Sequence, residues 1–131
     1  MRPIINLVAR NGVGWLRRRN EGRDFGAFQD GWLWLQHRHF GSALEQLILL
    51  NDSVYPVVDL EATSWPSFVD YQGDEVLGFS DCYQNGYHLQ SYGLHLPKAV
   101  IQQPWWDSFW RAYRGWGGMS VAVREGEIGL S

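Results

Sequence analysis

Apolar and polar positions alternate along this chain in two different rhythms, and the change between them predicts its elements. Ile4 to Ala9 is a short apolar run rich in branched residues and reads as a buried strand. Asn11-Gly12 and Gly14 mark turns, and Arg17 to Asp24 is a charged, polar loop. From Phe25 the rhythm becomes helical. Phe25, Phe28, Trp32 and Leu35 fall on one face, with Asp24 placed to cap the start and Phe40-Gly41-Ser42 to break the end. Ile48-Leu49-Leu50 is fully apolar and predicts a central strand covered on both faces, ending abruptly at Asn51-Asp52-Ser53.

Residues 54–74 carry two prolines and mixed polarity, which predicts loop with a short helix. Val76 to Phe79 reads as a strand. Tyr87 to Leu96 reads as a longer one, with Leu89, Ser91, Gly93 and His95 on one side, and Pro97 ends it. Pro104 suits the first turn of a helix whose apolar face is Trp106, Phe109, Trp110 and Tyr113. Gly115, Gly117 and Gly118 stop that helix, and Val121 and Val123 follow in the tail. No repeat, low-complexity segment or linker interrupts the series. The pattern is α/β.

With 131 residues the chain suits one domain, and 45% hydrophobic residues suffice for a core. Aromatics reach 15%, with eight tryptophans, enough to fill a core or to line a site for sugar rings. The net charge of −3 argues against a protein that holds nucleic acid through its phosphates. Cys82 is the single cysteine, so no internal disulfide forms. No run approaches 18 apolar residues, and Met1 to Asn6 makes a poor secretory signal, which together predict no transmembrane segment and a cytoplasmic chain.

Five segments carry candidate chemistry. Asn51-Asp52-Ser53 places oxygen-bearing side chains past a strand end, where α/β sheets bind ligands and where a carboxylate can hold a divalent cation against a diphosphate. By spacing alone it reads first as a turn. Arg19 to Gly26 is a glycine-containing loop opening a helix, suited to phosphate or ribose, or simply to solvent. His88-Leu89-Gln90-Ser91-Tyr92 offers a histidine for acid–base or metal chemistry, although a strand histidine among aromatics is more often structural. Glu125-Gly126-Glu127 could supply a general base or a charged surface turn. In Pro104 to Trp110 the aromatic stripe reads as core, and Trp105 falls off it as the better exposed contact. His37 and His39 read as surface residues.

The order of these blocks resembles the rhamnan synthesis protein F family, bacterial glycosyltransferases linked to rhamnose-containing cell-surface polysaccharides. The blocks run Arg19 to Ala27, Leu49 to Pro56, Gly78 to Ser80, His88 to Tyr92, Phe109-Trp110 and Gly126 to Ser131, and the similarity spans about Arg17 to Ser131. The resemblance implies a partial type A glycosyltransferase-like fold, a mixed sheet with flanking helices. The resemblance further implies that the N-terminal nucleotide-binding strands of that fold are missing and that the chain corresponds to the middle and acceptor-side part of a larger domain. It implies transfer of a deoxyhexose such as rhamnose from a nucleotide-diphosphate sugar to a polysaccharide or lipid-linked glycan acceptor, at the inner face of the membrane. Asn51, Asp52 and Ser53 fall where the superfamily has its Asp-X-Asp motif, so Asp52 is the residue expected near Mg²⁺ or Mn²⁺ and the diphosphate. Asn20, Gly22 and Asp24 would lie by the nucleotide sugar, and His88, Gln90 and Ser91 by donor or acceptor. Glu127 would be the catalytic base. The chain departs from the pattern in keeping one carboxylate where Asp-X-Asp has two. The alternatives are a non-catalytic domain that binds carbohydrate through its aromatics, an inactive truncated relative, and a subunit whose site and exposed strand edges are completed by another chain.

Overall fold

Arg23–His37 forms the first helix, α1, because its apolar residues recur every three or four positions and no proline interrupts them. Its start is set by Gly22, whose left-handed φ of 73° turns the chain into the helix. Asp24, expected as the cap, instead lies in the first turn, where its charge complements the helix dipole. The far end closes through a Schellman arrangement. His39 takes a left-handed φ of 60°, its N–H donates to the Gln36 carbonyl at 3.0 Å, and the Phe40 N–H donates to the Leu35 carbonyl at 2.9 Å. The Phe40 ring packs near Trp34 with centroids 6.3 Å apart, the apolar contact that often accompanies this ending.

The structure is a computed structural model that describes residues 16–19, 21–52, 57–84, 86–114 and 126. The expected strand at Ile4 to Ala9 lies outside the described residues. So do the turns at Asn11-Gly12 and Gly14, the stop at Gly115, Gly117 and Gly118, and the tail valines. After a 3-10 turn at Gly41–Ala43, strand β1 spans Gln46–Leu50. A second 3-10 turn at Leu60–Ala62 precedes the short helix α2, Trp65–Val69. Strands β2 (Leu77–Gly78), β3 (Asp81–Cys82), β4 (His88–Leu89) and β5 (Gly93–Pro97) follow, then helices α3 (Lys98–Ile101) and α4 (Pro104–Ala112).

The described residues form a mixed α/β arrangement with two small antiparallel sheets. One sheet runs β1-β5-β2 and the other pairs β3 with β4. Leu50 lies opposite Gly93 and Gln46 opposite Pro97, so β1 and β5 match along their full length. The predicted long strand from Tyr87 to Leu96 is two strands, because the chain turns at Ser91-Tyr92 and the halves join different sheets. Pro97 ends β5 as its missing N–H requires, and it also begins α3.

One expectation is reversed. The strand covered on both faces is β5, every residue of which is buried, while Ile48-Leu49-Leu50 of β1 is only half-covered and Leu50 is 47% exposed. Among the described residues β1 pairs with β5 alone, so it lies at an edge of its sheet. Leu94 and Leu96 of β5 point into the core with Phe25, Trp32, Val100, Ile101, Trp106, Trp110 and Tyr113. His95, between them, faces the other way. Its Nδ1 lies 2.6 Å from the Phe68 carbonyl on α2, which puts the ring proton on that nitrogen, and the Phe68 and Tyr71 rings meet it edge-on.

The core is largely aromatic. Phe25 stacks on Trp110 at 5.8 Å, Trp106 meets Trp110 edge to face at 5.3 Å, and Trp32 meets Trp106 likewise at 5.6 Å. Such pairs add roughly 0.5–1.5 kcal/mol each beyond the area they bury. Two polar ties fasten α1 to α4 through this core. The buried Gln29 amide donates to the carbonyls of Trp110 at 2.6 Å and Tyr113 at 3.0 Å, satisfying acceptors that the helix end leaves open. The Trp32 indole N–H donates to Asp107 at 3.0 Å, and Arg111 donates to the other Asp107 oxygen at 2.6 Å. Burial alone pulls the Asp107 pKa up. The hydrogen bonds from Arg111 and Trp32, with the Arg111 charge, outweigh that and hold the carboxyl below its ordinary range.

Candidate functional site

Three chain segments converge at the first turn of α1. Asp24 stands in that turn, Asn51 follows β1 directly, and Ser91 sits in the turn between β4 and β5. The Asn51 side-chain amide donates to Asp24 Oδ2 at 3.0 Å, and the Ser91 hydroxyl donates to the same oxygen at 3.4 Å. Backbone pairing brings Asn51 here. Its N–H donates to the Tyr92 carbonyl at 3.3 Å, continuing the β1–β5 ladder one step past Leu50–Gly93 and fixing Asn51 beside the turn that holds Ser91. Leu49 packs against the core on the α1 side of the sheet. Two residues further on, Asn51 points to that same side. Ser91 is buried and Asp24 half-buried, so the cluster is partly shielded from water.

The other expected site residues sit around this cluster or apart from it. Gly22 supplies the left-handed turn one residue before α1. Asp52, next to Asn51, is exposed. His88 is buried in β4 with Nδ1 2.9 Å from the Gly86 carbonyl, the structural arrangement favoured for a strand histidine. Gln90 turns to a separate network. Its Oε1 accepts from the Ser80 hydroxyl at 2.8 Å, its Nε2 donates to the Tyr92 hydroxyl at 3.4 Å, and its backbone N–H donates to the Ser80 carbonyl at 2.9 Å. Asn20, Ser53 and Glu127 lie outside the described residues. Gly126 is described: a side chain added to it would stand 2.8 Å from Cγ of Phe25, so its backbone lies against the ring that follows Asp24 in sequence.

The arginine loop before α1 is partly committed to folding. Arg18 pairs with Asp30 on α1 and donates to the Glu21 carbonyl. The loop passes so close to the helix that a Cβ at Gly26 would stand 2.5 Å from the Glu21 oxygen, which is why a glycine occupies that turn. With Arg19 and Gln29 these groups bound a polar recess of about 120 Å³.

Among the described residues no three His, Cys, Asp or Glu side chains gather in a way that would hold a metal ion. Asp52 brings one carboxylate.

Sequence reasoning missed several polar positions of the fold. Gln29, Asp107 and His95 lie within helical or strand periodicity like any other residue, and their partners are 84, 75 and 27 residues away in the chain. Ser80 stands at the end of the Gly78 to Ser80 block, and its one local signal is the facing position of Gln90 across the hairpin. No protein-family model matches the chain, and no curated protein or solved structure matches it.

Proposed function

We propose that this chain is a type A glycosyltransferase-like domain, which transfers a deoxyhexose such as rhamnose from a nucleotide-diphosphate sugar to a cell-surface polysaccharide. One observation carries the reading. Asp24, Asn51 and Ser91 come from three separate blocks of the sequence, and all three share one carboxylate oxygen at the mouth of β1. Each was expected near the donor or acceptor.

In this reading Asp52 stands at the diphosphate and would hold Mg²⁺ or Mn²⁺ there; the cation, not the carboxylate, would offset the charge that builds on the leaving group. Asp24 acts through its neighbours, holding the Asn51 amide and the Ser91 hydroxyl in place at the end of β1. Glu127 takes the proton of the acceptor hydroxyl as that oxygen bonds to the anomeric carbon and the nucleoside diphosphate departs. Gly126, which precedes Glu127 in the sequence, backs onto the ring of Phe25, the residue after Asp24. Asn20 and Gly22 line the nucleotide sugar, and His88 and Gln90 shape the hairpin next to it. The work is expected at the cytoplasmic face of the membrane. No helix among the described residues is long and apolar enough to cross one.

A donor-hydrolysis assay tests the roles. Asp52→Ala and Glu127→Ala should each lower turnover at least tenfold, and unchanged turnover in both would sink the assignment. A thermal shift tests the ligand class. A nucleotide-diphosphate sugar, with or without Mn²⁺, should raise the melting temperature, because a ligand that binds only the folded chain stabilises it. The second reading is a non-catalytic carbohydrate-binding domain. It is favoured by aromatic rings left in solvent: Tyr83 (76% exposed) and Tyr87 (54%) face each other across the β3–β4 hairpin with centroids 5.3 Å apart, and Trp105 is 45% exposed. Stabilisation by free sugars alone would select it.

A further inference from the structure

We draw no further inference here: the strongest candidate, the apolar pocket of about 330 Å³ that Phe28, Trp34, Leu35, Leu47 and Leu49 line between α1 and β1, carries nothing because no described residue shows what occupies it.

Discussion

The Asn51 amide and the Asp24 carboxylate meet at 3.0 Å across 27 residues of chain, joining the end of β1 to the start of α1. Removing the carboxylate takes away the oxygen to which the part-buried Asn51 amide and the Ser91 hydroxyl both donate. Asp24→Ala should therefore lower stability by about 1–3 kcal/mol. Urea denaturation of the two proteins side by side measures it, and an unchanged midpoint would show that the contact does not hold the segments together.

Gln29 offers a sharper case because it is buried and ties α1 to two carbonyls of the α4 end. Gln29→Leu keeps the volume and takes the buried amide donor from both carbonyls, of which that of Tyr113 still accepts from the Arg114 guanidinium at 2.9 Å, so a loss of roughly 1–3 kcal/mol is expected. Calorimetry or guanidinium unfolding reads it directly. A leucine variant as stable as the parent would mean that water replaces the amide.

Asp107 makes stability depend on pH. Its folded pKa is depressed below the ordinary 3.8. A depressed acid contributes stability that is present above its unfolded value and is lost as pH falls through the folded value. Stability should decline on acidification below pH 3.8, and Asp107→Asn should flatten that part of the profile while changing little near neutrality in pH dependence. Denaturant midpoints collected across the acid range for both proteins provide the check.

Two backbone positions predict gains. Gly31 lies inside α1, and an added Cβ there meets nothing within 4 Å. Gly31→Ala should stabilise by about 0.5–1 kcal/mol, since glycine carries that cost in a helix interior. At His39 the reasoning runs the other way, because its φ of 60° suits glycine. His39→Gly should add about 1 kcal/mol by relieving the left-handed strain at the end of α1. Thermal melts of the two variants separate them from the parent, and a lower melting temperature for either would contradict its geometry.

Much of the local structure was legible because it depends on neighbours a few residues apart. Phe25, Phe28, Trp32 and Leu35 announce α1, and Pro104 with Trp106, Phe109, Trp110 and Tyr113 announces α4; Trp106, Trp110 and, just past the helix end, Tyr113 are buried, and Phe109 is half-buried. Trp105 falls off that stripe and is exposed. The strand at Leu77–Gly78 and the short helix after residue 54 also appear where turn residues and prolines put them.

Coverage of a strand is another matter. A run such as Ile48-Leu49-Leu50 is apolar whether it lies at the middle or the edge of a sheet, and only pairing decides which. Here the polar-looking Gly-Leu-His-Leu-Pro of β5 takes the centre, because β1 and β2 both pair with it and α2 gives His95 an acceptor in Phe68. Asp24 likewise looks like a cap from its neighbours, yet its side chain is drawn to Asn51 and Ser91, which the fold delivers from 27 and 67 residues away. The sequence by itself determined the helices, the turns and the blocks that carry polar chemistry, since these follow from steric preferences and periodicity within a few residues. Which strand is central, and which of those blocks share an oxygen, was decided only by tertiary structure, because hydrogen bonds and burial between distant segments exist only once the chain has closed on itself.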